Sequence, residues 1–178
     1  MKLAVVGASG IVGRSLMTQA QMSGVESVAI SRHAPDLAHC DFVAADLLEV
    51  EACLTASKKL SDVTHVVYTA LYEKPGLLSG WREQDQMQTN LQMLKHCNEV
   101  LLKEASGLQH IALLQGTKAY GAHLGPMRIP GKESEPRVQH DNFYWLQEDY
   151  LRQYCEKIER SYSIWRPRVI IGHGASSG

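Results

Sequence analysis

Three glycines near the amino terminus have a spacing that suits phosphate binding. Gly7, Gly10 and Gly13 lie in the segment GASGIVG, between an apolar run and a pattern with helical spacing. A turn without side chains lets a pyrophosphate approach the backbone N–H groups at the amino terminus of a helix. Glycine triplets also occur in ordinary turns, but this position between strand and helix favours a dinucleotide site. The turn residues predicted to contact the cofactor are Gly7, Ser9, Gly10, Ile11, Val12 and Gly13.

The end of the second predicted strand indicates which dinucleotide is preferred. Sites for NAD usually place an acidic residue there for the ribose hydroxyls, whereas sites for NADP favour a cation for the 2′-phosphate. This chain has Ser31 and Arg32 at that point, and no acidic residue follows before Asp36. A guanidinium group matches the geometry of a phosphate, and a serine adds a hydroxyl. We therefore predict NADP(H) rather than NAD(H); the alternative is that Arg32 is a solvated loop residue.

Asp46 and Leu47, just after the third predicted strand, are candidates for binding an adenine ring. The carboxylate would accept a hydrogen bond from the adenine amino group, and the leucine would pack against the ring. Asp46 also precedes a predicted helix, and aspartate is a common N-cap residue. The residues alone leave both roles open.

Strand and helix patterns alternate along the whole chain. Strands are predicted at residues 2–6, 25–30, 41–44, 64–69 and 108–114, with a last strand region at 162–165 and 169–171. Helices are predicted at 11–23, 48–59, 84–104 and 143–160, and residues 116–140 form a long loop. Strands that are apolar on both faces and alternate with helices indicate a parallel sheet covered on both sides. We predict an α/β fold, a Rossmann-type doubly wound parallel sheet, forming one NAD(P)-binding domain over residues 1–178.

The longest predicted helix, at 84–104, has an apolar stripe and a candidate stop signal. The stripe comprises Met87, Leu91, Leu94, Cys97 and Leu101. Gly107 follows the helix and is predicted to cap its carboxyl terminus.

Composition excludes several classes of function. The net charge is −1, the pI is about 6.7, and the basic residues are scattered, which argues against nucleic acid or an anionic membrane as partner. The four cysteines form no CxxC pair, which argues against a zinc site and a disulfide framework and suits a reducing compartment. No segment approaches the ~20 apolar residues that cross a bilayer. We expect a cytoplasmic protein with no metal that acts on a small-molecule substrate.

Several segments resemble an extended short-chain dehydrogenase/reductase, a group within the NAD-dependent epimerase/dehydratase superfamily. They are GASGIVG, Asp46-Leu47, Tyr68-Thr69-Ala70 and Asn90 in the long helix. Most of these enzymes carry a YxxxK pair, which this chain lacks: Glu148 follows Tyr144 at that spacing, and Arg166 follows Tyr162.

A branch of these enzymes without that pair resembles the rest of the chain. The segments LLQGTKAYG (113–121), HDNFYWLQED (140–149) and WRPRVIIG (165–172) are similar to motifs of the progesterone 5β-reductase/iridoid synthase family. The resemblance covers essentially all 178 residues. Two departures are Trp145, which replaces the second tyrosine of the family's NFYY motif, and a shorter loop between Lys118 and Tyr144.

The resemblance implies that Tyr144 and Lys118 are the catalytic pair. Hydride addition to the β-carbon of an enone builds negative charge on the carbonyl oxygen, and a phenol aimed at that oxygen stabilises the enolate. A nearby ammonium strengthens the phenol as a donor and can hold the nicotinamide ribose. The alternatives are that Tyr144 is only an aromatic packing residue and that Lys118 is only a charged residue in a loop.

Further cofactor contacts follow from position and from the resemblance. Gln115 and Gly116 end the fifth predicted strand beside the expected nicotinamide, and the resemblance places Pro167 and Val169 near its carboxamide. Pro167 has an alternative role, since proline ends strand pairing. The remaining predicted contacts are Thr69, Ala70, Asp46, Leu47, Lys118 and Tyr144.

Family members are roughly twice as long as this chain, so we expect the last strand and most of the substrate region to be missing. The expected function is NADPH-dependent reduction of the activated C=C bond of an enone or a related carbonyl substrate. The alternatives are a sugar-nucleotide epimerase or dehydratase and a non-catalytic NADP-binding module. A sheet edge left open by a missing strand is prone to pairing, which predicts self-association. The sequence does not name the substrate.

Overall fold

A parallel sheet forms the centre of the molecule. The computed structural model describes residues 1–37, 39–74, 83–168 and 170 of the chain. Its strands are β1 (Lys2–Val6), β2 (Glu26–Ser31), β3 (Asp41–Ala44), β4 (His65–Tyr68), β5 (His110–Leu114) and β6 (Ser161–Trp165). The order across the sheet is β3-β2-β1-β4-β5-β6, and every neighbouring pair is parallel. The predicted α/β fold with a Rossmann-type doubly wound sheet is confirmed.

The last strand is shorter than predicted. β6 ends at Trp165, and Ile170 is not part of a strand, while residues 169 and 171 lie outside the described part of the chain. Pro167 has no N–H group to donate to a neighbouring strand, which accounts for the end of pairing here.

Within the described residues, four α-helices pack on the sheet: α1 (Ile11–Met22), α2 (Val50–Ser57), α3 (Gln84–His96) and α4 (Phe143–Lys157). A π-helical turn, Cys97–Leu101, continues α3, and a short 3₁₀ turn, Thr117–Tyr120, interrupts the predicted loop. The prediction that Gly107 caps the helix is wrong, because the helical path already ends at Leu102. The buried stripe also differs from the prediction: Asn98 of the π-turn is buried, whereas Leu91 of α3 is only half-buried.

The two faces of the sheet bury different helices, as the alternation of side chains in a strand requires. Ala4 and Val6 of β1 belong to the large core formed with α2, α3 and α4, whereas Val5 packs with Met17 of α1. Val66 of β4 and Ile111 of β5 are register partners and extend the large core. Burial of each of these Val and Ile side chains contributes about 1.5–3 kcal/mol to stability, and burial of the smaller Ala4 contributes less.

The strand register places the carboxyl ends of the strands at one edge. Val6 pairs with both Ile30 and Tyr68, and Leu113 pairs with both Tyr68 and Ile164. The loops that follow β1, β2, β4, β5 and β6 therefore leave the sheet together. Chain order reverses between β1 and β4, and ligands of open α/β sheets bind outside the carboxyl ends at such a point. In the described parts of the chain, no helix has both the length and the apolar character to cross a membrane.

Candidate functional site

The loop after β1 is a tight turn that depends on two of its three glycines. Gly7 has φ +87°, and its N–H donates to the Ile30 carbonyl oxygen at 2.8 Å. A Cβ at Gly7 would lie 2.7 Å from the Ala70 nitrogen, and one at Gly13 would lie 2.3 Å from the Gly7 oxygen. Contacts this short are not tolerated, so packing within the protein itself requires glycine at both positions.

Gly10 is different. Its φ of −75° and ψ of 170° suit any residue. Among the described residues, a Cβ at Gly10 would come within 4 Å only of the Gly7 oxygen, at an ordinary 3.4 Å. Gly10 immediately precedes α1 and brings no side-chain cap, and the first turn of α1 contains no acidic residue. The amino terminus of α1 therefore keeps its positive end available to an anion.

A cleft of about 250 Å³ opens beside this turn, at the carboxyl edge of the sheet. Half of the residues predicted to bind the dinucleotide line it: Gly7, Ser9, Gly10, Ser31, Arg32, Asp46, Leu47, Thr69 and Ala70. Ile11, Val12 and Gly13 instead form the start of α1 and are not among its lining residues. Seven further lining residues were not among the predicted contacts: Val6, Ile30, Ala45, Leu48, Leu71, Tyr72 and Met93. The structure thus brings together segments that are far apart in the chain.

Ser31 and Arg32 lie at one end of the cleft. The Ser31 side chain is buried, and its hydroxyl donates to the His33 carbonyl oxygen at 2.7 Å. This bond fixes the turn that carries Arg32, whose side chain is exposed. The guanidinium group is accordingly accessible to a phosphate at the end of β2, while the Ser31 hydroxyl proton is already used within the loop.

Asp46 and Leu47 form the wall after β3. Asp46 Oδ1 accepts the Leu48 N–H at 3.0 Å, and α2 begins only at Val50, with Glu49 as the preceding residue. The alternative role of Asp46 as the N-cap of this helix is therefore wrong; its carboxylate closes a local turn instead. Leu47 is buried, and its carbonyl oxygen accepts a bond from His96 Nδ1 at 2.7 Å.

The segment after β4 is fixed against both the glycine turn and α3. The Thr69 hydroxyl donates to the Val6 carbonyl oxygen at 2.9 Å. Asn90 is fully buried, and its amide bonds the Tyr72 backbone twice, accepting from the N–H at 2.9 Å and donating to the carbonyl at 2.8 Å. Gln86 Oε1 accepts the Lys74 N–H at 2.9 Å. The residue held between these bonds is Glu73, which is not among the predicted site residues.

A second group of predicted residues meets beyond β5. Tyr144 lies in the first turn of α4 and is only 9 % exposed. A Cβ added at Gly116 would lie 3.3 Å from the Tyr144 hydroxyl oxygen and 3.8 Å from the Pro167 carbonyl oxygen. The structure thus brings Gly116, Tyr144 and Pro167 together, whereas Val169 lies outside the described residues. Lys118 follows in the 3₁₀ turn.

The electrostatics of Tyr144 and Lys118 are set by burial and by Glu73. Burial raises the pKa of the Tyr144 phenol well above its ordinary value, and the Glu73 carboxylate raises it further. Burial lowers the pKa of the Lys118 ammonium, while Glu73 acts in the opposite direction. The phenol is therefore protonated, and able to donate a hydrogen bond, throughout the neutral pH range.

Two buried amides surround the backbone of Tyr144. Asn142, the N-cap of α4, accepts the Tyr144 N–H at 3.0 Å through Oδ1 and donates to the Lys118 carbonyl at 3.2 Å through Nδ2. Gln115 Nε2 donates to the Tyr144 carbonyl at 3.1 Å, and Gln115 Oε1 accepts from Arg166 Nε at 3.0 Å. Asn142 was not among the predicted site residues, although its position before an apolar helix start is a recognisable N-cap signal.

The family to which this chain belongs follows from comparison with known proteins. A model described as the NAD dependent epimerase/dehydratase family matches residues 3–176. The chain belongs to this family. Two curated relatives are similar over nearly the whole chain. They are 3-oxo-Delta(4,5)-steroid 5-beta-reductase of Arabidopsis thaliana, with 30% identity over 94% of this chain, and (S)-8-oxocitronellyl enol synthase of Catharanthus roseus, with 26% over 97%. The chain spans 46% of the length of each relative.

Solved structures of this epimerase/dehydratase type share the fold. A short-chain dehydrogenase/reductase superfamily protein from Agrobacterium tumefaciens with bound NAD has a TM-score of 0.72 at 17% identity, over 93% of this chain and 48% of that one. UDP-N-acetylglucosamine 4-epimerase from Bacillus cereus has a TM-score of 0.69 at 17% identity, over 91% and 55%. The suspected membership of the epimerase/dehydratase superfamily is confirmed, and the curated relatives agree with the resemblance to the 5β-reductase/iridoid synthase branch.

Proposed function

We propose that this chain binds NADPH in the cleft beside the glycine turn and serves an oxidoreductase that reduces the activated C=C bond of an enone or a related carbonyl compound. The observation that carries the proposal is the buried Tyr144 hydroxyl beside Gly116, at the same edge of the sheet as the glycine turn. The curated relatives, one a steroid 5-beta-reductase and the other an enol synthase, support this class of chemistry.

The residues of the cleft fit a dinucleotide phosphate. The positive end of α1 and the side-chain-free turn suit a pyrophosphate. The lack of a packing reason for glycine at position 10 is explained if a ligand approaches the backbone there. Arg32, exposed at the end of β2, suits a 2′-phosphate, and no acidic residue occupies that strand end to favour ribose hydroxyls. These features favour NADPH over NADH.

The side chains beyond β5 have distinct roles in the proposed reaction. When bound, the cofactor supplies the hydride. Tyr144 donates a hydrogen bond to the substrate carbonyl oxygen, where negative charge builds as the β-carbon is reduced. Its raised pKa keeps the proton on the phenol until that charge develops. Lys118 supplies a positive charge that strengthens this donor and holds the ribose.

The position four residues after Tyr144 counts against the common short-chain mechanism. Where most extended short-chain enzymes carry a lysine, this chain has Glu148, whose side chain is only 7 % exposed. Glu148 is paired with Arg166 at 2.5 Å and Arg137 at 3.0 Å. The ammonium that assists Tyr144 must therefore come from another element, and Lys118 meets this requirement.

Replacement of Tyr144 by Phe tests the proposed function. The parent chain is assayed for oxidation of NADPH, by loss of absorbance, with a steroid enone and a small cyclic enone. We expect Tyr144→Phe to lower kcat/KM by about 10²–10⁴-fold, the usual contribution of a positioned proton donor, while the Kd for NADPH stays close to that of the parent. Phe fits the buried site, since only the hydroxyl is lost.

Tyr162→Phe is the matched control, because Tyr162 is half-buried in β6, away from Gly116. Full turnover by Tyr144→Phe would refute the catalytic role. Binding of NADPH by the parent without oxidation in the presence of either enone would contradict the reductase assignment and leave the cofactor site in place.

A further inference from the structure

The peptide unit of Tyr144 is held on both sides by buried side-chain amides. Asn142, 4 % exposed, accepts its N–H, and Gln115, 5 % exposed, donates to its carbonyl. Within α4, the first-turn N–H of Tyr144 has no helical partner, so Asn142 fulfils the usual need for a cap. The bond from Gln115 meets no such need, because helix carbonyls near the amino terminus already accept from the next turn.

Asn142 also does more than a cap requires. Aspartate and serine cap helices about as well as asparagine, and each of them accepts through a side-chain oxygen. Only asparagine among these adds an amide donor, and here that donor bonds the Lys118 carbonyl at 3.2 Å. A single side chain therefore links the backbones of Tyr144 and Lys118, and Asn142 itself lies 24 residues after Lys118 in the chain.

Gln115 is in turn fixed from behind by an ion pair. Its Oε1 accepts from Arg166 Nε at 3.0 Å, and Arg166 Nη2 lies 2.5 Å from Glu148 Oε2. The side chains of Arg166 and Glu148 are only 12 % and 7 % exposed. Because charged pairs with little solvent hold their geometry tightly, this ion pair restricts the rotation of the Gln115 amide. Both polar atoms of that amide bond protein groups.

We propose that Asn142 and Gln115 are positioning residues that set the Tyr144 hydroxyl relative to Lys118. This inference rests on the proposed function, in which Tyr144 and Lys118 act on the substrate. It also changes the predicted role of Gln115: its amide orients α4 instead of contacting the nicotinamide. Arg166 and Glu148 act one step further away, by holding Gln115.

Two nearly isosteric substitutions separate positioning from folding. Asn142→Asp keeps the oxygen that caps α4 but loses the donor to Lys118. Gln115→Glu keeps an acceptor for Arg166 but loses the donor to Tyr144. Gln147→Glu is the matched control: Gln147 is 1 % exposed on the same helix, and its amide donates to the Asn90 carbonyl at 3.1 Å, away from Tyr144.

Two readouts are used on the 178-residue chain. The first is the ¹⁹F spectrum of protein labelled with 3-fluorotyrosine, in which the Tyr144 resonance is the one that Tyr144→Phe removes. We expect this resonance to shift or broaden in Asn142→Asp and in Gln115→Glu but to keep its parent position in Gln147→Glu. The second readout is enone turnover. A misplacement near 1 Å costs up to about 100-fold, so we expect kcat to fall roughly 10- to 100-fold with KM for NADPH nearly unchanged.

The Tyr144 resonance alone can overturn the positioning role of Asn142 and Gln115. A parent-like Tyr144 resonance in both variants overturns the inference, as does an equal change in Gln147→Glu. If Asn142→Asp fails to fold, it is replaced by Asn142→Ser, which keeps the cap. If Gln115→Glu fails to fold, it is replaced by Gln115→Met, which carries no charge. The expected results are the same. Lack of turnover by the parent counts against the proposed function alone, because the resonance tests the positioning of Tyr144 without any reaction.

Discussion

Replacement of Gly10 by Ala separates what the protein needs from what a bound phosphate needs. The backbone of Gly10 is already in a conformation that alanine adopts, and the added Cβ would meet only the Gly7 oxygen, at 3.4 Å. The methyl group would instead project from the turn that lines the cleft. We therefore expect Gly10→Ala to fold normally and to bind NADPH poorly.

The effect of Gly10→Ala on stability comes from two small opposing contributions. Fewer conformations in the unfolded chain stabilise the variant by about 0.4–1 kcal/mol. Alanine is a poorer N-cap than glycine, which costs a similar amount, on the order of 0.5–1 kcal/mol. The two nearly cancel, so Tm should stay within about 2–4 °C of the parent.

The loss of cofactor affinity in Gly10→Ala is not offset by an opposing contribution. A methyl group forced into a closely packed contact costs about 1–3 kcal/mol, which corresponds to a Kd roughly 5- to 150-fold weaker. Nicotinamide fluorescence during an NADPH titration measures this loss, and thermal unfolding checks the fold. Gly107→Ala is the control, because its Cβ would make only a 3.7 Å contact with Thr64, before β5 and at the opposite end of the sheet. NADPH binding by Gly10→Ala as tight as that of the parent would refute a phosphate at this turn.

Two further predictions concern the ends of the cleft. Arg32→Ala should weaken NADPH binding roughly 10- to 150-fold, the range expected for lost bonds to a charged group, and leave NADH binding unchanged. Parallel fluorescence titrations with NADPH and NADH measure this difference. An equal loss of affinity for both cofactors would contradict the 2′-phosphate role. Asn90→Ala removes three hydrogen bonds to the backbones of Tyr72 and Gln86, so it should lower the free energy of unfolding by about 1.5–4.5 kcal/mol. Urea-induced unfolding measures this loss, and Gln88→Ala, at an exposed position, is the control. A loss below about 0.5 kcal/mol would show that these bonds contribute little.

The fold could be predicted from the sequence because its strands are short apolar runs between helical patterns. β1 and β3 have the predicted bounds, and the other strands differ by a few residues at their ends. Helix ends were harder to predict: the π-turn at Cys97–Leu101 has no signal in an apolar stripe, because it adds a residue to a turn without changing residue types. The predicted cap at Gly107 failed for that reason.

The cleft beside the glycine turn was easier to predict from the sequence than the segment that carries Glu73. The glycine turn, Ser31-Arg32 and Asp46-Leu47 line one cleft because parallel strands deliver their carboxyl ends to one edge, which the strand pattern already implies. Glu73 could not be found in this way. It lies on an irregular segment whose path depends on bonds from Asn90 and Gln86, and no periodicity records such bonds.

The residues that hold the site share one chemical property. Asn90, Asn142 and Gln115 are all buried amides that bond backbone groups of the site: Asn90 bonds the segment after β4, Asn142 the 3₁₀ turn at Lys118, and Gln115 the first turn of α4. Loop N–H and carbonyl groups have no strand ladder to satisfy them, and an unpaired buried one is costly. A carboxamide carries both a donor and an acceptor, so one side chain can satisfy both kinds of group at once. The sheet therefore brings the site segments to one edge, and buried amides of α3, the β5 end and the α4 cap fix where Glu73, Lys118 and Tyr144 stand along it.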